Sequence, residues 1–316
     1  TAYSDKFDSY LSEKIRMLAK RYKTTVYTVL VAAYNVLLYR YTNQEDILVG
    51  TTAAGRNKAE FESVVGYFVN PVVLRSKIIG DNSFEDFLGQ VRQTVLEAIE
   101  HQDYPFSRLV EQIQPERSHR HSPIFQVAFS LERLSRPEQE GAALFAMGQS
   151  SASLSIDDFT MSSIDVEQKY VQYDLMLMIA DLGSNINASW QYSSDLFEED
   201  TIKRMSQNFK TLLASILENP SGKVSSFAII SDDEFKRLHD FNKKREDIKE
   251  YNHPSLVFNL FEEQVRKYPD KEAIKMKDKS LSYKELDNRS NQLANYLLDK
   301  GVKPEKLVGV FMERSI

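Results

Sequence analysis

Apolar residues recur at helical spacing in the first part of the chain. Phe7, Leu11 and Ile15 lie four positions apart, which predicts an amphipathic helix over about 5–22. The next segment, 26–41, is apolar on nearly every face, so we expect a helix buried on all sides. The chain is therefore predicted to open with a surface helix followed by a core helix.

Shorter apolar runs bounded by Gly, Pro or Asn predict β-strands. Single strands are expected at 47–49, 71–75 and 124–131. The clearest strand pair is a hairpin, in which 170–180 and 186–192 alternate apolar with polar residues on either side of a turn. Because these strands alternate with helices, the pattern predicts an α/β unit.

Three more helices complete this unit. Ser83 precedes a stripe of apolar residues, and its spacing to Asp86 is a variant of a capping box. A shorter helix is expected over 106–113, and a final amphipathic helix over 202–216. Pro220 ends the last helix because its ring cannot continue one.

The composition of the chain changes near residue 231. Charged residues dominate 231–253, which predicts an interdomain linker lying along a surface. The linker separates a first domain, 1–230, from a second domain, 254–316. Within the first domain, 132–155 is rich in Glu, Gln, Gly, Ser and Ala, so we expect a mobile surface connection there.

The second domain begins as a new α/β unit. A helix is expected over 256–266, and strands over 273–276 and 308–311. Between the strands, Ser282 and Glu285 have the spacing of a capping box that starts a long helix. Because two helices in so short a segment cannot close a doubly wound sheet, we expect this unit to be incomplete.

Composition excludes several classes of protein. The chain has 316 residues, of which 42% are hydrophobic and 27% charged, as in a soluble protein of two domains. It contains no cysteine, which excludes disulfides and thiolate metal sites and fits a cytoplasmic location. A net charge of −6 argues against nucleic acid as a partner. No apolar run is long enough for a membrane helix, and the first residues lack the layout of a signal peptide.

The histidines and glycines form no complete catalytic constellation. Of the five histidines, no two have metal-ligand spacing with a carboxylate. His119 and His121 flank Arg120 in a polar loop and are interpreted as solvated rather than catalytic. His101 ends a predicted helix, where a structural role is favoured over that of a general base. The serine hydrolase elbow and both common phosphate-loop patterns are absent.

Two features could contact a substrate. The turn at 50–56 has small side chains that would let a long thin ligand pass close to the backbone. A tight turn after a core strand explains the same residues equally well. Asn70 places an amide beside aliphatic residues, so, if buried, it must bind either backbone groups or a substrate amide.

Three ordered stretches carry a resemblance to a known family. They read Gly-Tyr-Phe-Val-Asn at 66–70, His-Gln-Asp-Tyr-Pro-Phe at 101–106 and Ser-Pro-Ile-Phe-Gln at 122–126. In order and spacing they resemble the later signature motifs of condensation domains in nonribosomal peptide synthetases. The motif residues are Gly66, Phe68, His101, Asp103, Pro105, Pro123, Phe125 and Gln126.

A fourth stretch, Leu-Ser-Tyr-Lys-Glu-Leu at 281–286, resembles the first signature motif of an adenylation domain, with Tyr283 and Glu285 as motif residues. The resemblance implies an α/β fold: a chloramphenicol-acetyltransferase-like lobe, with a mixed sheet and flanking helices, then an incomplete α/β segment of an adenylate-forming domain. It also implies that ATP and Mg would bind only to a complete adenylation domain.

The family resemblance implies a function as well. Condensation domains form amide bonds between aminoacyl or peptidyl thioesters, which carrier proteins hold on 4'-phosphopantetheine, in a tunnel between two lobes. The family's catalytic motif, His-His-x-x-x-Asp-Gly, does not occur in this sequence. The chain therefore resembles the second lobe, and by itself it is expected to be inactive, with no catalytic residue and no bound cofactor.

By the same resemblance, Thr52, Ala54, Arg56 and Asn70 are expected in the acceptor-lobe wall of the tunnel. The implied partners are the first lobe, the donor and acceptor peptidyl carrier proteins and the rest of the adenylation domain. The third motif departs from the family pattern, because the usual Asp position is Ser118. Two alternatives stay open: a non-catalytic docking platform for carrier proteins, and an acyltransferase of the same fold that uses coenzyme A.

Overall fold

Two units make up the chain, Thr1–His239 and Asp240–Ile316. The computed structural model describes residues 1–61, 63–115, 122–133, 147, 153–156, 159–164, 171–243, 257–313 and 315–316. The first unit carries the three condensation-type motifs, and the second carries the stretch at 281–286.

A mixed sheet forms the framework of the first unit. The strands described there are β1 (Ala2–Lys6), β2 (Asp46–Ala53), β3 (Asn70–Lys77), β4 (Val127–Arg133), β5 (Ser153–Ile156), β6 (Phe159–Ser162), β7 (Leu175–Asp181) and β8 (Ile186–Tyr192). Six of them form one sheet in the order β1-β8-β7-β4-β2-β3, and β5 pairs with β6 separately. β4 is parallel to both of its neighbours, whereas the other pairs of the sheet are antiparallel.

The described α-helices of this unit are α1 (Ser9–Arg21), α2 (Val26–Thr42), α3 (Phe84–Glu100), α4 (Phe106–Ile113), α5 (Glu199–Glu218) and α6 (Asp232–Lys243). Of these, α1, α2, α3 and α5 contribute buried residues to one main hydrophobic core. α2 is buried from 28 to 38, as its unbroken apolar pattern predicts. The capping variant at the start of α3 is confirmed, because the Ser83 hydroxyl accepts a hydrogen bond from the Asp86 amide at 3.1 Å. The mixed sheet with flanking helices confirms the predicted fold class.

Aromatic side chains occupy the centre of this core. Tyr34 of α2 lies edge-on to Trp190 of β8, with ring centroids 6.1 Å apart, and Trp190 lies edge-on to Phe209 of α5 at 5.9 Å. Edge-to-face pairs of this kind stabilise a core beyond the area that they bury. The indole N–H of Trp190 donates to Ser206 Oγ at 3.0 Å, so its polar group is satisfied although the ring is fully buried.

The prediction of a helix from about residue 5 is wrong at its beginning. Ala2–Lys6 is a strand that pairs with β8, and α1 begins only at Ser9. Asp8 caps the helix, since its carboxylate accepts from the Leu11 amide at 2.7 Å. Phe7 lies four residues before Leu11 and so fits the helical pattern, but it is a buried core residue that directly follows the strand.

The hairpin predicted over 170–180 and 186–192 is confirmed by the antiparallel pairing of β7 with β8, although β7 begins only at Leu175. The connection predicted over 132–155 lies mostly outside the described residues. The predicted linker, 231–253, contains the helix α6 near its start. The boundary between the two units, after His239, lies within this helix. The domain boundaries drawn from composition stay predictions.

The second unit is small. It contains α7 (Val257–Lys267), β9 (Glu272–Met276), β10 (Lys279–Ser282) and α8 (Tyr283–Asp299) in its described part. The capping box at the start of α8 is confirmed by reciprocal hydrogen bonds between Ser282 and Glu285. The strand predicted at 308–311 is wrong: those residues are exposed and irregular, since an apolar run needs a neighbouring strand to become one.

Candidate functional site

Asn70, the first residue of β3, joins two of the sequence motifs. Its amide nitrogen donates to the carbonyl oxygens of Gln102 and Tyr104, both at 2.8 Å. Its amide oxygen accepts from the backbone N–H of Phe106 at 3.1 Å. Of the two alternatives for this amide, the structure shows the binding of backbone groups, which fixes the 101–106 loop beside the sheet.

Other residues of the second motif hold the same loop. His101 lies just after α3, and its Nδ1 contacts the carbonyl oxygen of Glu97 at 2.9 Å, as expected of a residue at a helix end. Asp103 accepts from the Asn57 amide through both carboxylate oxygens, at 2.9 and 2.8 Å. Pro105 occupies the N-cap position of α4. The motif therefore links the turn after β2, the end of α3 and the start of α4.

The third motif packs its aromatic ring onto the sheet. Phe125 is buried, and its ring lies 5.7 Å from that of Phe106 and 5.2 Å from that of Tyr173. Gln126 accepts through its backbone oxygen from the Asp174 amide at 3.0 Å. Pro123 lies in the short segment before β4. Ser118, His119, Arg120 and His121, which precede this motif, lie outside the described residues.

Arg56 organises the loop that carries the first motif. Its guanidinium donates to the carbonyl oxygens of Phe61, Val64 and Gly66. The same guanidinium lies 4.4 Å from the centroid of the Phe68 ring, in cation–π contact. The charge of Arg56 is thus used to hold loop backbone together.

Gly55, in the loop after β2, allows the backbone of Phe68, in the loop before β3, to come close to it. Its φ is +65°, and a Cβ at this position would lie 2.0 Å from the carbonyl oxygen of Phe68. A side chain would therefore be both strained and obstructed. Gly66 is less restricted, because a Cβ there would meet the Phe68 ring at 3.2 Å.

A cavity opens where β2 and β4 separate. These parallel strands pair only through Val49 with Val127 and Gly50 with Ala128, and then diverge. The cavity has a volume of about 520 Å³. Its described lining residues are Tyr27, Thr51, Thr52, Ala53, Ala54, Val69, Val72, Leu74, Val95, Ala98, Ile99, Gln102, Ser130, Leu131 and Glu132. We refer to it as the inner cavity.

The four tunnel residues predicted from the sequence do not all line this cavity. Thr52 and Ala54 do, whereas Arg56, in the loop after β2, and Asn70, the first residue of β3, bind backbone carbonyls. Their role toward a substrate stays a prediction. The structure instead adds Tyr27, from a helix more than twenty residues earlier, which spacing could not have indicated.

Polar groups on the wall of the inner cavity are few. The hydroxyl of Tyr27 donates to Thr51 Oγ1 at 2.9 Å. Burial raises the pKa of Tyr27 to about 12, so this hydroxyl stays neutral at physiological pH. The hydroxyl of Ser130 is buried and has no hydrogen-bond partner among the described residues. Glu132 is the charged side chain among the described lining residues, none of which is a histidine. The site can hold and orient a chain, and its own groups offer no imidazole for proton transfer.

The motif residues of the second unit have a structural role. Glu285 accepts from the Ser282 backbone N–H at 2.9 Å, and this bond lowers the pKa of the Glu285 carboxyl. Tyr283 packs its ring 6.0 Å from that of Phe261, which joins α8 to α7. In the described part of both units, no group of three or more acidic or histidine side chains is arranged to hold a metal ion. Likewise, the described helices include none that is long and apolar enough to cross a membrane.

Comparison with known proteins places both units in families. Residues 2–239 match the family described as condensation domain, and 261–316 match the family described as AMP-binding enzyme. Gramicidin S synthase 2 of Aneurinibacillus migulanus is 36% identical over 306 residues, which is 96% of this chain and 6% of that protein. Tyrocidine synthase 3 of Brevibacillus parabrevis is 36% identical over 307 residues, covering 97% of this chain and 4% of its own. The chain thus spans a small part of these relatives.

Solved structures agree with this assignment. A four-domain nonribosomal peptide synthetase bound to AMP and glycine matches with a TM-score of 0.71 and 24% identity, over 96% of this chain and 23% of that chain. The first condensation domain of the calcium-dependent antibiotic synthetase, in complex with a substrate analogue, matches with a TM-score of 0.58 and 14% identity, over 73% of this chain and 47% of its own. At these identities the likeness shows the fold. The chain belongs to the condensation-domain family of nonribosomal peptide synthetases and continues into the start of an AMP-binding enzyme domain.

Proposed function

We propose that the first unit is the acceptor-lobe wall of a tunnel, in which a two-lobed condensation domain joins carrier-tethered thioesters through an amide bond. The observation that carries the proposal is the separation of β2 from β4 after two residue pairs, which opens the inner cavity inside the sheet. Thr52 and Ala54 line the opening with small side chains, so a thin chain can pass close to the backbone.

The separated strands also supply hydrogen-bonding groups. After Gly50 and Ala128, the facing edges of β2 and β4 no longer pair with each other in the described part of the sheet. Backbone N–H and C=O groups at such edges need partners, and an extended ligand with amide groups can provide them, as in strand addition. A 4'-phosphopantetheine arm is a thin chain of this kind, which supports carrier proteins as partners.

Proton handling is proposed to come from the facing lobe. The sequence contains no His-His-x-x-x-Asp-Gly motif, and the described lining of the inner cavity has no histidine. A positioned acid–base group typically contributes about 10²–10⁴ in rate. We therefore expect this chain to be inactive by itself and to act with a first lobe that supplies this group.

The second unit is proposed to be the start of an adenylation domain, in which ATP and Mg are bound only by the complete domain. The match of 261–316 to AMP-binding enzymes supports this. A cytoplasmic location is proposed with it, because the absence of cysteine fits a reducing compartment.

A docking platform for carrier proteins is the second candidate. The loop held by Arg56 favours it, because Val65 and Tyr67 of this loop are almost fully exposed, at 101% and 87%. Exposed apolar side chains of this kind often mark a protein interface. In this reading, the first unit would bind carriers without forming the reaction channel.

The test is amide formation by a condensation domain that contains this chain as its second lobe. Donor and acceptor carriers are loaded with aminoacyl groups, and the product is measured by mass spectrometry. Ala54→Phe would fill the mouth of the inner cavity and is expected to lower the rate at least about tenfold, because the reacting groups lose their orientation. Ala59→Phe is the matched control, since Ala59 is exposed and lies outside the cavity lining.

The two candidates predict different results. A tunnel wall requires that Ala54→Phe lowers turnover while the domain stays folded and still binds carriers. If the domain binds carriers without turnover, or if Ala54→Phe and Ala59→Phe behave alike, the first unit is a docking platform.

A further inference from the structure

A second cavity, of about 830 Å³, lies next to the inner cavity. It is formed by the end of α1, the beginning of α2, the middle of α3 and the ends of β4 and β7. The two cavities share the lining residues Tyr27, Val95, Ile99 and Leu131. We call this second space the outer cavity, because it adjoins the inner cavity along that common wall.

Positive charge surrounds the outer cavity. Its charged lining residues are Arg16, Lys20, Lys23, Arg92 and Asp181. The carboxylate of Asp181 is already paired with Arg16, at 2.6 Å. Lys20, Lys23 and Arg92 take part in none of the ion pairs found among the described residues. Cations that gather in one cleft without carboxylate partners attract an anion.

The beginning of α2 adds to this positive field. Thr24, Thr25 and Val26 line the outer cavity, and Thr25 is the N-cap of this 17-residue helix. The Thr25 hydroxyl accepts the N–H of Thr28 at 3.1 Å, and the N–H groups of Val26 and Tyr27 carry the positive end of the helix dipole. A helix N-terminus next to unpaired basic side chains is a favourable place for a phosphate group.

The inner cavity has the opposite character. Its charged lining residue in the described structure is the acidic Glu132, and most of its wall is aliphatic. An anion is therefore favoured in the outer cavity and disfavoured in the inner one. A ligand that fits both spaces carries a negative charge at one end and a long uncharged arm at the other. The hydroxyl of Ser130, which has no partner in the part of the chain that the structure describes, gives such an arm a hydrogen-bonding group on the inner wall.

We propose that Lys20, Lys23 and Arg92, with the N-terminus of α2, bind the phosphodiester of a carrier-borne 4'-phosphopantetheine, whose uncharged arm passes into the inner cavity. The proposal rests on the proposed function, and it adds the entry side and the residues that recognise the phosphate. Lys20 lies in α1 and Arg92 in α3, so the site exists only where both helices line the same cavity.

Binding of small probes to the 316-residue chain tests the proposal. The probes are 4'-phosphopantetheine, pantetheine and inorganic phosphate, and binding is measured by NMR titration at low and at high salt. 4'-Phosphopantetheine is expected to bind at least about tenfold more tightly than pantetheine, because charge-assisted hydrogen bonds hold the phosphate. High salt should remove most of this difference.

The decisive variant is K20A/K23A/R92A, which is expected to bind 4'-phosphopantetheine no better than pantetheine. K203A/K236A/K284A is the matched control, since it removes three exposed lysines that line neither cavity. In a two-lobed condensation domain, K20A/K23A/R92A should raise the KM for the carrier protein and leave kcat nearly unchanged.

Several outcomes would overturn the phosphate site. One is equal affinity for 4'-phosphopantetheine and pantetheine. A second is that K20A/K23A/R92A still prefers 4'-phosphopantetheine over pantetheine as the wild type does. A third is that 4'-phosphopantetheine binds no more tightly than inorganic phosphate. Absence of any 4'-phosphopantetheine binding would overturn it too. The proposed function would survive each of these results if Ala54→Phe still blocked amide formation, so the two failures are distinguishable.

Discussion

The ring of Phe125 lies where a side chain on Gly50 would be: a Cβ at residue 50 would come within 1.9 Å of the ring. Gly50 is in β2, at the last residue pair that joins it to β4, and Phe125 belongs to the third motif. The contact therefore positions the motif at the point where the two strands begin to separate.

Gly50→Ala is expected to destabilise the first unit by about 1–3 kcal/mol, because Phe125 is buried and must move to admit the methyl group. Gly89→Ala is the control, since a Cβ there meets nothing within 4 Å and α3 gains a better helix former. Denaturant unfolding measures both variants. Equal stability of Gly50→Ala and the wild type would show that the ring is not held over the strand.

Asn70→Ala is expected to lower stability by about 1–3 kcal/mol, because it leaves two carbonyl oxygens and the N–H of Phe106 without their partner. Asn57→Ala should cost less, since its bonds to Asp103 are exposed to solvent. Thermal unfolding compares the two. If Asn70→Ala lost amide formation at unchanged stability, Asn70 would act on the substrate and not on the loop.

Asp5 should make stability depend on acid pH. Burial raises the pKa of its carboxyl, but hydrogen bonds from Lys210 and Ser206 and the charge of Lys210 outweigh burial, and the pKa lies below its usual value. Lys210 Nζ and Ser206 Oγ lie 2.8 and 2.7 Å from Asp5 Oδ2. Because the pKa of Asp5 is lower in the folded state than in the unfolded state, the ionised carboxylate stabilises the folded state at pH values above its unfolded pKa of about 4. This stabilisation is lost as the pH falls through the pKa of the folded state.

Asp5→Asn should therefore lower Tm at neutral pH, and its difference from the wild type should shrink as the pH falls below about 4. Asp81→Asn, which removes an exposed pair with Lys223, should change Tm less. A difference for Asp5→Asn that stays constant with pH would refute the role assigned to the carboxylate.

Tyr34→Phe is expected to leave stability unchanged or to raise it by about 1–3 kcal/mol, since the Tyr34 hydroxyl is fully buried without a partner among the described residues. Burial also raises the pKa of Tyr34, so its hydroxyl is neutral and no ionic interaction offsets the free-energy cost of desolvating it. Tyr27→Phe is the contrast: it removes a hydrogen bond to Thr51 and should lower stability by about 1 kcal/mol. Chemical denaturation decides, and a clear loss of stability in Tyr34→Phe would reveal a partner for its hydroxyl.

Local features of the fold were predictable from the sequence. The helices beginning at Phe84 and at Tyr283 were predicted with their caps, because Ser83 and Ser282 act on amides three residues later. The hairpin of β7 and β8 was equally clear from alternation across a short turn. The strand Ala2–Lys6 was missed, since its partner lies at the far end of the domain, at Ile186–Tyr192.

The site was predictable in part. The family resemblance and the small residues of the 50–56 turn predicted Thr52 and Ala54 beside a channel, and both line the inner cavity. Arg56 and Asn70 were assigned to the tunnel wall, but spacing cannot tell whether a polar side chain binds a ligand or the protein's own backbone.

By itself the sequence determined what depends on neighbours along the chain: helix caps, apolar stripes, the hairpin, the composition change before the second unit and the family motifs. The tertiary structure decided the rest, because strand partners and cavities depend on residues far apart in the chain. Gly50 and Phe125 meet only once β2 lies beside β4, and Lys20 and Arg92 share a cavity only once α1 and α3 pack near the same strands. Periodicity carries no information about such contacts, since it shows which face of a segment is apolar and not which distant segment packs against that face.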